Sequence, residues 1–342
     1  MNFESEQISE VASLLKGSFR PLFVWGAGMR PYAAEALELA RSLGVPVACT
    51  WGAIDLIHHD DSLAIGGFGT HGTRAANLAV QSADCIISIG ARLDTKATGT
   101  PNAFAPVARI AMVDIDQAEI DKMPKVGREV IGILADSGEF IDAIDKERIS
   151  LWSWLPKTVW FKQCQQWKAD NVPQGPAYDL MRRIGEYTTA EDIIVSDTGN
   201  TLGWIMQGFP FKGERFVHAF NFTPMGYGLA GAIGAAFAGG GRRVICIVGD
   251  GGALMSVNEL ATIARHKLNI KIILLNNKGH GMCRFTQRQW LGGTYPATSI
   301  EGGLGFPDWQ KLADAFGVEI EEHHIDPDES LAFQVKYGEP LA

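Results

Sequence analysis

The sequence has no C-x-x-C pair, no run of basic residues and no apolar stretch long enough to cross a bilayer. Five cysteines, Cys49, Cys85, Cys164, Cys246 and Cys283, stand singly along 342 residues. That odd, dispersed set excludes a disulfide framework and a cysteine zinc site, and it predicts free thiols in a reducing compartment. The formal charge is −9, which argues against a nucleic-acid footprint or a polybasic membrane patch. The most apolar stretch, residues 227–240, is too short and too rich in glycine to span a membrane. The opening Met-Asn-Phe-Glu-Ser-Glu is acidic and lacks the apolar core of a signal peptide, so a soluble cytoplasmic chain is expected.

Core material is plentiful, with 46% apolar and 20% charged residues, and the length suits two compact units. The 39 glycines are the informative residues, because they gather at the ends of apolar runs. Residues 21–28 (PLFVWGAG), 45–50, 84–90 (DCIISIG) and 109–116 (RIAMVDID) read as buried strands, and 31–43 has helical spacing. Apolar strands alternating with helices predict a parallel sheet covered on both faces. A second series follows, with strands at 193–197, 216–219, 244–250 and 270–276 and helices at 225–238, 257–266 and 308–316. The fold expected is α/β, two doubly wound parallel-sheet domains at 1–145 and 179–342. Between them, 146–178 reads as a connecting helix and linker, its Trp152, Trp154, Trp160 and Trp167 packing between the domains.

The turn Gly26-Ala27-Gly28 lacks the third glycine and the acidic strand end of a dinucleotide fingerprint, so it reads as a tight strand-to-helix turn. The second series is more specific. One strand ends in Gly249-Asp250-Gly251-Gly252, and the next ends in Asn276-Asn277. A right-handed strand–helix–strand unit puts those two ends side by side at the ligand-binding edge of the sheet. Ser256 and Glu259 have the spacing of a capping box for the helix between them. One carboxylate, one amide oxygen and backbone carbonyls make a hard oxygen donor set, suited to Mg²⁺ or Ca²⁺ and poor for zinc. Adjacent glycines let backbone N–H groups approach a phosphate closely. His58, His59, His323 and His324 read as solvated surface.

The stretch 249–282, GDGGALMSVNELATIARHKLNIKIILLNNKGHGM, resembles the cofactor motif of thiamine-diphosphate-dependent enzymes, in the acetolactate-synthase-like branch. The resemblance extends to GTHGT (69–73), GARLD (90–94) and VDID (113–116) of that branch's Rossmann-like central domain. It also covers SDTGN (196–200) and FTPMGYGLAGAIGAA (222–236) of its diphosphate-binding domain. It implies that Asp250, Asn277 and the carbonyl of Gly279 bind Mg²⁺, with Gly249, Gly251 and Gly252 at the diphosphate. Asn200 and Thr201 would contact the phosphates, and the backbone near Thr223 the aminopyrimidine. Met225 would prop the cofactor in its bent shape, and Met282 would pack on its other side. The implied chemistry is decarboxylation of a 2-oxo acid, usually pyruvate, and transfer of the acyl unit to a second carbonyl, with the cofactor as electron sink.

Departures from the pattern set further expectations. The family's pyrimidine-binding domain, with its activating glutamate, has no match here, so the catalytic acid is unknown. A separately supplied pyrimidine-binding chain or segment, and a homo- or hetero-oligomer, are the expected partners. An apolar surface around Met225, Tyr227 and Met282 would meet that partner. After Val318 the final strand is expected to be missing or contributed differently. Cys283 and Arg284 stand where substrate-facing residues are usual. FAD is a candidate for the central domain through Arg92, but Thr95 and Lys96 replace its usual neighbours, and a flavin-free chain is expected. The alternatives to a carboligase are a non-catalytic or partner-dependent cofactor-binding subunit and a 2-oxo acid decarboxylase.

Overall fold

A computed structural model describes residues 5–123, 129–147, 156–220, 222–335 and 338–342. The chain divides into two compact units, Met1–Pro173 with Phe333–Ala342, and Gln174–Ala332. Each is a parallel α/β sheet, as the alternating pattern predicts.

The first unit holds β1 (Pro21–Trp25), β2 (Val47–Cys49), β3 (Ala64–Gly67), β4 (Cys85–Ile89), β5 (Arg109–Asp114) and β6 (Val130–Leu134). They form one sheet in the order β3-β2-β1-β4-β5-β6, with every pairing parallel. β1 and β4 are buried along their whole length, which is why their sequences are continuous apolar runs. The helix Ala33–Leu43 buries Ala36, Leu39, Ala40 and Leu43, one stripe at helical spacing. It stops at Gly44, whose left-handed φ of +62° lets its N–H reach the carbonyls of Ala40 and Arg41. The helix expected from residue 31 begins later, because Pro31 lies in a 3₁₀ turn, Ala27–Tyr32. β3 and β6 escape a sequence reading: each is short and carries glycine.

Residues 146–178 do more than link. The helix Pro156–Asp170 belongs to the first unit, with Trp160 and Cys164 buried in that unit's own core. Trp160 Nε1 donates to the Pro21 carbonyl at 2.8 Å. Trp160 is thus a core residue of one unit, while Trp152 and Trp154 lie outside the described residues. The end of the chain also returns to the first unit, where Leu341 is fully buried and the Val335 N–H donates to the Thr70 carbonyl.

The second unit holds β7 (Ile193–Ser196), β8 (Arg215–Val217), β9 (Val244–Gly249), β10 (Ile270–Asn276) and β11 (Ile320–His324). Their order is β11-β10-β9-β7-β8, again all parallel. Ile245, Ile247 and Val248 have no exposed surface, and each such side chain contributes about 1.5–3 kcal/mol of burial. The closing strand expected to be missing is present. β11 pairs with β10 from Ile272↔Ile320 to Asn276↔His324 and forms the sheet edge. At its end His324 is exposed, while His323 is half-buried with its Nε2 2.7 Å from Glu321 Oε1. His58 and His59 are exposed.

Candidate functional site

The site is built at the C-terminal ends of β7, β9 and β10, over the point where the strand order reverses between β7 and β9. β7 runs into Asp197-Thr198-Gly199, and Gly199 takes φ +75° before the helix Asn200–Gly208. β9 ends at Gly249, and the helix Asp250–Met255 begins at once. After β10 come Asn277, Lys278 (φ +54°), Gly279 and His280, then the helix Gly281–Trp290. The helix Tyr227–Ala238 starts later than the sequence suggests. Thr223 at φ +41° and Gly226 at φ +88° make a turn that holds Met225 outside it.

These segments enclose a cavity of about 260 Å³. Asn200, Thr201, Thr223, Met225, Gly249, Asp250, Gly251, Gly252, Asn277, Gly279 and Met282 all line it. Every site residue named from the sequence therefore meets at one place. Asp197, Trp204, Leu275, His280 and Cys283 join them.

Asp250 dominates the electrostatics. It is 1% exposed, and its carboxylate accepts the N–H of Gly251 at 2.7 Å and of Gly279 at 3.2 Å. Burial pushes its pKa up to about 6, and the surrounding backbone N–H groups hold it back from going further. A buried carboxylate of this kind is poised to gain from a cation. Asn200 and Asn277 point their side-chain amides at one spot, since a Cβ on Gly281 would lie 2.7 and 2.8 Å from their nitrogens. No cluster of three or more His, Cys, Asp or Glu side chains able to hold a metal occurs among the described residues. A metal here would rest on Asp250, the Asn277 amide oxygen and a backbone carbonyl, which is a magnesium-like oxygen set.

The glycines are explained by close approach. A Cβ on Gly252 would sit 2.6 Å from Asp197 Oδ1, and one on Gly279 2.6 Å from the Thr298 carbonyl. Gly251 is covered by the His280 ring, whose Nδ1 would be 2.3 Å from a Cβ there. At these glycines the place of a side chain is taken by atoms of Asp197, Thr298 and His280, which lets the segments close around the cavity.

The central-domain model of the thiamine pyrophosphate enzymes matches residues 8–144, and the C-terminal TPP-binding-domain model matches 197–338. The chain belongs to the thiamine pyrophosphate enzymes. It is 30% identical over 323 residues to the acetolactate synthase isozyme 2 large subunit of Escherichia coli (strain K12), covering 93% of this chain and 58% of that protein. It is 31% identical to the acetolactate synthase large subunit of Porphyra purpurea, over 99% of this chain and 59% of the relative. It is 35% identical to the probable acetolactate synthase large subunit of Methanocaldococcus jannaschii, over 94% and 56%. The chain thus spans somewhat under three-fifths of the length of these relatives.

Sequence reasoning gave no role to two polar residues that line the cavity, Asp197 and His280. Asp197 is 3% exposed and accepts the N–H of Thr198 at 2.9 Å, of Gly228 at 2.7 Å and of Gly226 at 3.4 Å. It ties the end of β7 to the turn that carries Met225, and burial raises its pKa above the usual carboxylate value. The only signal was an acid closing an apolar strand. His280 stood in the sequence between two glycines without a role; its ring is half-buried, and burial lowers its basicity.

Other expectations are corrected. The capping box is absent: the helix Glu259–His266 has Asn258 at its N-cap with no side-chain cap, and the Ser256 hydroxyl has no partner. The segment was already helical from Asp250, so Ser256 ends one helix rather than opening the next. Cys283 does line the cavity, but Arg284 pairs with Asp328 at 3.1 Å and covers the Tyr295 ring. Met225, Tyr227 and Met282 are half-buried, whereas Phe222 is 94% exposed, with Trp290 and Leu291 also exposed.

Proposed function

We propose that this chain is the thiamine-diphosphate- and Mg²⁺-binding part of an acetolactate-synthase-like carboligase. Its reaction is the decarboxylation of a 2-oxo acid, pyruvate in the first instance, and transfer of the acyl unit to a second carbonyl. The observation that carries the reading is the meeting of Asp250, Asn277 and the glycine pair Gly251–Gly252 around one cavity, in a chain with a TPP-binding domain. The cofactor supplies the electron sink for the carbanion left when carbon dioxide departs.

The residues would divide the work as follows. Asp250, the Asn277 side chain and the Gly279 carbonyl hold the cation, which neutralises the diphosphate and gives the buried Asp250 a counter-charge. Gly249 and Gly252 would present backbone N–H groups to the phosphates, Gly251, whose N–H is held by the Asp250 carboxylate, would admit them by its lack of a side chain, and Asn200 and Thr201 would add side-chain donors. The Thr223 backbone, Met225 and Met282 hold the organic rings and exclude water. Among the described residues no glutamate lines the cavity, and Glu259 is not part of its wall. The activating acid is therefore proposed to come from a pyrimidine-binding chain or segment, docked over the exposed Phe222, Trp290 and Leu291 in a homo- or hetero-oligomer. No helix among the described residues is long and apolar enough to cross a membrane, consistent with a cytoplasmic setting.

A flavin-free central domain is part of the proposal. Arg92, the residue suggested for a dinucleotide phosphate, lies 3.3 Å from Glu119, and the glycine turns after β1 and β4 close on each other. Purified protein should lack a flavin absorption band.

Calorimetric titration with thiamine diphosphate, with and without Mg²⁺, tests the site. Binding should need the metal, and Asp250→Ala should weaken it by at least about tenfold, since the metal bridges protein and phosphate. Equal binding by the variant would refute the assignment. Turnover is tested by mixing the chain with a pyrimidine-domain chain and following pyruvate. Acetolactate marks a carboligase and acetaldehyde a decarboxylase. Fast turnover by the 342-residue chain alone would refute the partner requirement.

A further inference from the structure

We propose that His280 is an additional phosphate ligand in this cavity, its Nδ1–H donating a hydrogen bond to an oxygen of the diphosphate beside Gly251. The inference rests on reading the cavity as a thiamine diphosphate site, and it goes beyond the motif residues that define that site.

The first observation is an orphan. His280 Nδ1 is buried and has no hydrogen-bond partner. A buried polar nitrogen is costly to leave unpaired, and native structures rarely do so away from functional positions. The second observation is its place. The Nδ1–Cε1 edge of the ring lies on Gly251, with Nδ1 and Cε1 at 2.3 and 2.5 Å from where a Cβ would stand. Gly251 is the residue whose small size opens the backbone to a phosphate. A phosphate oxygen that comes to Gly251 would therefore lie beside this unpartnered nitrogen.

The third observation is anchoring. The His280 N–H donates to the Thr298 carbonyl at 3.1 Å, and Gly279 next to it bridges Ser299. The backbone under the imidazole is fixed from outside the cavity, so the ring is presented from a held position. Met225 Cε, 3.2 Å from the same point on Gly251, flanks it.

Chemistry selects the role. A phosphate oxygen only accepts, so it selects the tautomer with hydrogen on Nδ1 and leaves Nε2 without one. Direct metal ligation is the poorer use, because Mg²⁺ prefers oxygen donors. The bond is charge-assisted, of the kind that is short and strong.

The test uses the whole chain and two probes, Mg²⁺–thiamine diphosphate and Mg²⁺–inorganic pyrophosphate, followed by calorimetry. His280→Leu removes the donor and keeps an apolar side chain of moderate size. His280→Asn returns an amide N–H near the position of Nδ1. We expect His280→Leu to bind both probes about ten- to a hundredfold more weakly, and His280→Asn to stay within about threefold of the parent. In ¹⁵N-histidine spectra, pyrophosphate should move the His280 Nδ1 signal to its protonated position. Equal binding by parent and His280→Leu would overturn the inference, as would His280→Asn being as weak as His280→Leu, which would make the effect one of packing. Failure of the parent to bind either probe would instead sink the reading of the site itself, and the inference with it.

Discussion

Two parallel sheets in one chain end their strands in glycine, and they use that glycine in opposite ways. In the first unit, the reversal of strand order lies between β1 and β4, and there the two turns fill each other. A Cβ on Gly26 would stand 2.0 Å from the Gly90 carbonyl oxygen, and the Gly28 N–H donates to that oxygen at 3.1 Å. In the second unit, the reversal lies between β7 and β9, and the glycines there leave backbone facing a cavity of about 260 Å³. A missing side chain can thus serve packing or access. What differs is the neighbour: main chain from the next strand at Gly26, and at Gly251 and Gly252 the ionisable side chains of His280 and Asp197, which themselves line the cavity.

The sharpest way to break this comparison is Gly26→Ala. Its neighbour is backbone and cannot turn aside, so the fold should lose about 3 kcal/mol or more, seen as a large drop in the chemical-unfolding midpoint. A midpoint like the parent's would show that the first unit's edge is looser than its geometry. Gly251→Ala is the counterpart. It meets the end of the His280 side chain, which can swing away, so stability should change by about 1 kcal/mol or less. Affinity for thiamine diphosphate should nevertheless fall by about tenfold, because the methyl group and displaced ring occupy the phosphate's place.

Acid should also separate the two units. His71, in the first, is pushed down to about 4 by burial and by the nearby Lys96 charge. Its unfolded form takes up protons first, so its contribution falls as the pH drops from about 6.5 and levels off below about 4. Asp197, in the second, has a raised pKa, so the native state binds its proton first and mild acid stabilises. Hydrogen exchange resolved by segment, at about pH 7 and about pH 5.5, should show faster opening around residues 67–77 in acid. Replacement by His71→Gln should remove most of that change. The same response in both units would count against the assignment.

The smallest effect is expected at Gly234, inside the helix Tyr227–Ala238. A Cβ there meets nothing within 4 Å, so Gly234→Ala should stabilise the second unit by about 0.5–1 kcal/mol through helix propensity. Destabilisation would mean that this helix face is covered by something in solution.

The sequence made much of this legible. Apolar runs closed by Gly, Asp or Asn announced the strands β1, β4, β5, β9 and β10, and the G-D-G-G and N-N pieces had strand ends on which to sit. The strands β3, β6 and β11 were harder, since glycine interrupts the first two and Ile-Glu-Glu-His-His has little strand character without a sheet edge to pair with. The capping box failed for a related reason. Its spacing was present, but the helix had already begun at Asp250, where the N–H of Gly251 turns to the Asp250 carboxylate. Asp197 and His280 gave little signal, because each acquires its meaning from a glycine distant in the chain, Gly252 and Gly251.

By itself the sequence determined the fold class, the strand ends that meet, and a donor set of one carboxylate, amides and backbone, because these follow from local pattern and from the handedness of parallel connections. It read the first glycine-rich edge as a tight turn and the second as a ligand edge, but not the distances behind that difference. Absence of a Cβ is a local property, but whether the vacated space holds another backbone or a cavity depends on how far the neighbouring strand's turn reaches across. Only the tertiary structure sets that distance. It brought Gly90 against Gly26 in one sheet, and in the other it held Asp197, Asp250 and His280 around a gap.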